Sequence, residues 1–412
     1  MMDAQLLNGM ATSSTTSAGA PDKWGARASL MGGYLAEACA VGLLAPAGAT
    51  VRFVLVSHIS SLNLDRSAGY WAVITLFQQQ AYLLPNLLGC CVMGMLVAEE
   101  KHQQTLHQAK AQMQSQPRRP SLLFLALTKG FCGSLTSFSA WAGAEFAAQQ
   151  GAGLLFAELA SFGVVFALTW AFFLLGFGMW RAGRIAFACL QRLSQGTRWE
   201  QFTSLPGEVE LRELKSRMGE SSTMSSPVHE PPLVTDVEDA PGHAPEGRER
   251  KGEAISALLV QQWTWILLFV TFLLIVWICV LVDIGAPFIP RELVRCGLRS
   301  AALAPAGALC RWGIAKGMGP RLPPRLQHLS TLLSNCLGVA LFMALTHAQD
   351  WSWSKPISSG FAGSLTTVST LVVELKALYE GGGGELGEVQ AARYLMTTTL
   401  LALLLCQLIV WA

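Results

Sequence analysis

The sequence has few charged residues and no cysteine or histidine spacing that is typical of a metal site. Charged residues make up 14% of the 412 positions, and the formal net charge of +2 is too small to indicate a nucleic-acid-binding surface. The ten cysteines form no CxxC or CxxH pair and the seven histidines no HExxH, which removes support for zinc, thioredoxin-type or metalloenzyme chemistry. Residues 1–29 contain no continuous apolar run, so we expect no cleavable secretory signal.

Apolar residues are abundant and fall in long windows. The chain is 52% hydrophobic, and a window of about 20 apolar residues suffices to cross a bilayer. The composition therefore predicts an all-α polytopic membrane protein with nine transmembrane helices. The windows lie near residues 31–56, 70–98, 121–146, 153–180, 258–282, 293–315, 326–346, 357–379 and 390–412.

A stretch of twelve residues occurs twice inside these windows. GFCGSLTSFSAW runs from Gly130 to Trp141 and GFAGSLTTVSTL from Gly360 to Leu371. LAPAGATVR, which ends at Arg52, is likewise repeated as LAPAGALCR, which ends at Arg311. Placing glycines and hydroxyl side chains inside a membrane helix costs free energy unless the polar groups face a cavity, an ion or each other. The duplication therefore predicts a repeat of four helices, with a third helix that is broken in each copy.

Polar segments divide the chain. A polar insert, Glu99 to Arg119, separates the second and third windows, and residues 191–253 are too polar and proline-rich to fold. We predict an N-terminal cytosolic tail at 1–30, a first four-helix repeat at 31–187, a disordered cytosolic linker at 188–254, a linking transmembrane helix at 255–284 and a second four-helix repeat at 285–412.

The linking helix determines the orientation of the second repeat. Four membrane crossings return the chain to the side of the membrane on which it started. One extra crossing therefore places the start of the second repeat on the opposite side, so the second repeat is inverted relative to the first. Basic residues are more frequent on the side that includes Lys23 and Arg27, which predicts a cytosolic N-terminus.

Taken together, these motifs resemble the fluoride channel family, the bacterial Fluc or CrcB proteins and their fused eukaryotic form, the fluoride exporter FEX. The resemblance rests on Gly-Phe-x-Gly-x-Leu-Thr, on Asn-x-x-Gly at Asn86 and Asn335, and on Gly-Ala-x-x-Arg. It implies a channel rather than an enzyme, working as a single-chain internal pseudo-dimer in a lipid bilayer, with no nucleic-acid partner. The plasma membrane is the expected location for export of a toxic ion.

The resemblance implies a fluoride pathway and two vestibules. Asparagine amides, hydroxyls and ring edges would replace the water around the anion, and the pathway residues are Asn86, Phe138, Ser139, Trp141, Asn335, Ser369 and Thr370. Arg52, Arg311 and Glu374 would line vestibules. The residues alone leave other roles open: helix-to-helix hydrogen bonding for the asparagines, a structural or snorkelling role for the arginines, and local bonding to the freed backbone for the hydroxyls.

The resemblance also implies a structural Na⁺ at the repeat interface, held by backbone carbonyls of Gly133, Thr136, Gly363 and Thr366.

The two copies differ at the ring positions. The first copy has Phe138 and Trp141, whereas the second has Val368 and Leu371, which offer no ring edge. We therefore expect a single working pore. Fluoride export by passive electrodiffusion, with fluoride resistance as its result, is the favoured function. A proton-coupled exporter of inverted-repeat architecture, with Glu374 as a proton carrier, and a non-transporting scaffold are the alternatives.

Overall fold

The computed structural model describes residues 23–61, 81–111, 121–149, 155–194, 264, 269, 292–323, 326–348 and 351–411. This part of the chain is helical, and it contains seven helical spans long and apolar enough to cross a membrane, of which Leu122–Phe146 and Ser354–Gly381 each include more than one helix. The predicted tail at 1–30 lies mostly outside the described residues, as does nearly all of the predicted linker. The linking helix predicted at 255–284 also lies outside them, apart from positions 264 and 269.

The described residues of the first half of the chain form five helices. Helix α1 is Lys23–Ser61 and α2 is Leu83–Ala111. Helix α3 is continuous through Leu122–Leu125, a π-helical segment Ala126–Cys132 and a last turn Gly133–Leu135. Helix α4 is Phe138–Gln149 and α5 is Leu155–Ser194.

The second half repeats this order from its own first helix. Helix α6 is Glu292–Met318 and α7 is Leu329–His347. Helix α8 joins Ser354–Pro356, the π-helical segment Ile357–Ala362 and the turn Gly363–Leu365. Helix α9 is Val368–Gly381 and α10 is Glu385–Trp411. Helix α6 is long enough to span a bilayer, but its charged residues keep it out of the seven apolar spans.

Several helices extend beyond the apolar windows. Helix α2 continues to Ala111 through half of the predicted polar insert, because Glu, Gln, Lys and Ala are strong helix formers. The side chain of Gln103 donates to Glu99 Oε1 at 2.7 Å, one turn earlier. Helix α5 ends at Ser194, so the predicted linker boundary at 188 falls inside a helix.

The two copies of the LAPAGA motif allow helices to approach closely. A Cβ at Gly48 in α1 would lie 2.3 Å from the carbonyl oxygen of Phe131 in α3. A Cβ at Gly307 in α6 would lie 2.2 Å from the carbonyl oxygen of Phe361 in α8. Only glycine fits at such separations. The motif therefore packs the first helix of each copy against its broken helix.

The ends of α2 and α5 belong to a second compact unit, whose described residues are 97–111 and 177–194. Within it, Trp180 Nε1 donates to Glu99 Oε2 at 2.9 Å. A side-chain nitrogen of Arg184 lies 2.9 Å from His102 Nε2. These contacts join the polar ends of the two helices.

Candidate ion pathway

Each copy of the twelve-residue stretch contains a helix break. The break separates α3 from α4 in the first copy and α8 from α9 in the second. Thr136 has φ −87° and ψ 145°, and Thr366 has φ −95° and ψ 159°, so both are extended. Backbone groups released by a break inside the membrane need new partners.

Asn86 and Asn335 supply those partners. Asn86 Oδ1 accepts the backbone N–H of Ser137 at 2.9 Å, and its Nδ2 donates to the carbonyl of Ser137 at 3.5 Å. Asn335 makes the same two bonds to Thr367, at 2.9 and 3.3 Å. Each asparagine thus holds the residue that follows the break in its own copy.

Buried hydroxyls from the two copies meet between the breaks. Thr136 Oγ1 lies 3.2 Å from Ser369 Oγ, and Thr366 Oγ1 lies 3.1 Å from Ser139 Oγ. The backbone N–H of Ser139 donates to Thr366 Oγ1 at 3.2 Å, and that of Ser369 to Thr136 Oγ1 at 3.3 Å. The structure therefore brings Ser139 and Ser369, two predicted pathway residues, to the opposite copy's break.

The hydroxyls also bond within their own copies. Thr136 Oγ1 donates to the carbonyl of Cys132 at 3.0 Å, and Thr366 Oγ1 to that of Ala362 at 3.3 Å. The backbone N–H of Thr370, another predicted pathway residue, donates to Thr367 Oγ1 at 3.2 Å, which caps α9. Hydroxyls in this arrangement both repair the breaks and connect the copies.

Arg311 of α6 lies against the first copy's break. Its Nη1 donates to the carbonyl of Gly133 at 2.8 Å and to that of Thr366 at 3.0 Å, and its Nη2 donates to that of Lys129 at 2.6 Å. The residue is only 5% exposed. Its charge is thus solvated by carbonyl dipoles and does not snorkel to the bilayer surface.

Arg52 of α1 occupies the corresponding place at the second copy. Its Nη1 donates to the carbonyls of Ser134 at 2.6 Å and Gly363 at 2.8 Å, and its Nη2 donates to that of Ser359. The side chain is 1% exposed. Two buried guanidinium groups therefore lie against the helix breaks.

The aromatic side chains of the first copy form a buried cluster. The rings of Phe138 and Trp141 have centroids 5.7 Å apart and lie perpendicular, edge to face. The ring centroid of Phe162 in α5 lies 4.5 Å from that of Trp141. Phe162 was not among the residues that the sequence singled out. In the second copy, Val368 and Leu371 are fully buried in the corresponding positions.

Two carboxylates follow the ring positions. Glu374 accepts from Thr331 Oγ1 at 2.6 Å and from the hydroxyl of Tyr394 at 2.8 Å. Glu145 accepts from Ser161 Oγ at 2.9 Å and from Trp141 Nε1 at 3.3 Å. Both acids lie inside candidate membrane spans, and these bonds come from neutral donors.

The carbonyl positions assigned to sodium supply uncharged oxygen atoms, which suit a hard monovalent cation. The carbonyls of Gly133, Gly363 and Thr366 already accept hydrogen bonds from the two arginines. A carbonyl oxygen has two lone pairs, so one remains for a cation.

Two buried serine hydroxyls follow two of these positions in the chain. Ser134 and Ser364 follow the motif glycines at equivalent positions, in turns of α3 and α8 that pack against each other. Both hydroxyls are fully buried and have no hydrogen-bond partner among the residues that the structure describes. By donor chemistry, the residues present fit a sodium ion.

Sequence reasoning missed Lys129, Thr331 and Tyr394. A signal was available for Lys129, because it is a cation inside an apolar window and the equivalent residue in the second copy is Ser359. No comparable signal distinguished Thr331 or Tyr394 from other polar residues near the helix ends.

Comparisons with known proteins identify the family of the chain. The family described as CrcB-like protein, Camphor Resistance (CrcB), matches residues 39–179 and 298–411, which is more than half of the chain. The fluoride-specific ion channel FluC of Serratia proteamaculans (strain 568) is 33% identical over 115 residues, which cover 26% of this chain and 86% of that protein. No significant match to a solved structure was found.

The two matched regions include both copies of the repeated stretch, both asparagines and both buried arginines. Among these residues, the hydroxyls of the repeated stretch and the two arginines make the contacts that connect the two broken helices. The chain therefore belongs to the CrcB-like protein family, whose pattern it contains twice.

Proposed function

We propose that this protein is a fluoride-selective channel through which fluoride leaves the cytosol by passive electrodiffusion, and that it thereby confers fluoride resistance. The observation that carries the proposal is the meeting of two helix breaks, joined by buried hydroxyls and flanked by two buried guanidinium groups. The similarity to the FluC protein of Serratia proteamaculans supports fluoride as the ion.

The chemistry of the site suits a small anion that holds its water tightly. Hydroxyls and the positive edges of aromatic rings replace hydration water, while the guanidinium charges raise the local anion concentration. Asn86 and Asn335 direct their amides to the break backbone, so they act by holding the shape of the pathway.

A single route conducts in this proposal. The route passes the edge-to-face pair Phe138 and Trp141 of the first copy. The second copy has Val368 and Leu371 at these positions, and aliphatic groups cannot replace the water that fluoride loses.

The proposed architecture is a single-chain pseudo-dimer of nine transmembrane helices, in which two four-helix repeats are inverted by the linking helix. Support comes from the matching close approaches of Gly48 to α3 and of Gly307 to α8. The N-terminus is cytosolic, and the membrane is the plasma membrane.

A sodium ion bound by the carbonyls of Gly133, Thr136, Gly363 and Thr366 completes the proposed interface. When bound, the ion would supply a fixed positive charge between the two breaks. The fully buried hydroxyls of Ser134 and Ser364 support a bound ion at this place.

A proton-coupled exporter is the second candidate. The observation that favours it is the position of Glu374 and Glu145 inside membrane spans, where each is bonded to side chains of other residues. Carboxylates in such places often carry protons in transporters.

Purified protein in liposomes separates the two candidates. With potassium fluoride inside, a potassium ionophore as the charge shunt and equal pH on both sides, the channel predicts rapid fluoride efflux. Efflux that requires an imposed pH gradient, and that the potassium shunt does not support, favours the exporter. Vesicles without protein are the control.

A further inference from the structure

The indole ring of Trp141 is held by two rings and by one hydrogen bond. Its centroid lies 5.7 Å from that of Phe138, edge to face, and 4.5 Å from that of Phe162. Its Nε1 donates to Glu145 Oε1 at 3.3 Å, one turn later in α4. Ring packing does not distinguish the two edges of an indole, whereas a hydrogen bond does, because only one edge carries the N–H group. The bond to Glu145 therefore fixes which edge of Trp141 faces the rest of the cluster.

Glu145 is itself held from another helix. Its Oε1 also accepts Ser161 Oγ of α5 at 2.9 Å, so the acceptor of the indole is fixed by two helices. Glu145 is 1% exposed and lies inside the candidate span Leu122–Phe146. A carboxylate buried in a membrane costs free energy even when neutral groups donate to it. A leucine would fill the same space without that cost.

The second repeat contains apolar residues in place of this polar cluster. The two repeats align without a gap from Gly130 and Gly360 to Thr169 and Thr399, which are buried threonines. The counterparts of Trp141, Glu145, Ser161 and Phe162 are Leu371, Leu375, Ala391 and Ala392. Of these, the two leucines are buried in the core. The indole, the acid and the serine thus occur together in one repeat and are all replaced in the other, so the repeat can be packed without the acid.

We propose that Glu145 is a positioning residue for Trp141. The carboxylate holds the indole by its N–H group and keeps the edge of the ring in one orientation along the proposed pathway. A ring edge that is held in place replaces the hydration water of an anion better than one that turns, because no reorientation is needed when the ion arrives. The effect on flux rests on the proposed function, whereas the hold on the indole does not.

The indole N–H resonance of Trp141 tests the hold directly. In ¹⁵N-labelled protein in detergent, this resonance is the one that is missing from Trp141→Phe. We expect Glu145→Leu to move it upfield and to speed its exchange with deuterium by about tenfold, because the acceptor is gone. Glu145→Gln keeps a neutral acceptor and should move it upfield by a smaller amount. A resonance that stays in place in Glu145→Gln, or in a folded Glu145→Leu, would overturn the proposal.

Glu374→Gln is the matched control for loss of a buried charge. Glu374 accepts from Thr331 and Tyr394 and belongs to the other repeat. We expect the resonance of Trp141 to stay in place in this variant. A shift as large as that in Glu145→Gln would mean that the resonance reports charge loss in general, and it would overturn the specific hold.

Fluoride efflux from liposomes separates positioning from a structural role. Glu145→Leu should slow efflux by about tenfold, and Glu145→Gln by about twofold. In the Trp141→Phe background, Glu145→Leu should change the rate by less than about twofold, because a phenylalanine has no N–H group to hold. Equal losses in both backgrounds would overturn positioning, since an acid that only supports the fold acts whether or not the indole is present. Absence of fluoride efflux from the unchanged protein would refute the proposed function, and the indole resonance would still decide the hold.

Discussion

Arg311 Nη1 lies 2.8 Å from the carbonyl oxygen of Gly133, in the helix break of the opposite copy. The same guanidinium reaches the carbonyls of Thr366 and Lys129, so one side chain from α6 holds both breaks. Arg52 repeats this arrangement from α1. The two arginines are therefore internal cross-links as well as a source of positive potential.

Replacing Arg311 with Gln should destabilise the protein strongly. Three buried carbonyls lose a charged donor, and each unsatisfied group costs about 1–3 kcal/mol. Arg311→Lys keeps the charge, but an ammonium lacks the planar fork that serves several carbonyls at once. We expect both variants to show a lower thermal midpoint in detergent than the unchanged protein. The midpoint of Arg311→Lys should fall less than that of Arg311→Gln. A midpoint unchanged in Arg311→Gln would contradict the cross-link.

Gly307→Ala should disrupt packing between α6 and α8. The new methyl group would lie 2.2 Å from the carbonyl oxygen of Phe361, so the helices must separate, at a cost of about 1–3 kcal/mol. Gly313→Ala in the same helix is the matched control, because its Cβ enters open space. Size-exclusion profile and thermal midpoint report the difference. Equal behaviour of the two variants would contradict the predicted contact.

Phe138→Ile should reduce fluoride efflux by about a hundredfold, because the edge of the ring is the group that replaces hydration water. Val368→Ile at the equivalent position of the second copy is the control and should leave the rate unchanged. The measurement is the initial efflux rate from liposomes at equal protein content. Rates that fall equally in both variants would mean that the two routes conduct alike.

Sodium should stabilise the protein at the junction of the breaks. A ligand that binds only the folded state raises its stability by mass action. We expect a higher thermal midpoint in sodium chloride than in choline chloride at equal ionic strength, and a smaller difference in a Ser134→Ala, Ser364→Ala double variant. Identical thermal midpoints in the two salts would contradict the binding of sodium at this junction.

The sequence sufficed to predict the broken helices, because glycines and hydroxyl residues recur together in two apolar windows. It did not show that Asn86 bonds to Ser137, since partners 51 residues apart in the chain meet only through folding. Phe162, Thr331 and Tyr394 were missed for the same reason. Helix α2 continues past the apolar window, where polar residues such as Gln103 and Lys110 are themselves good helix formers.

The central claim is that this chain conducts fluoride selectively, and the ratio of fluoride to chloride efflux from the same proteoliposomes tests it most directly. The structure and the similarity to FluC predict that fluoride leaves within seconds to minutes after a potassium ionophore is added, while chloride remains inside. Chloride efflux at the rate of fluoride, or no fluoride efflux above that of protein-free vesicles, would contradict the account.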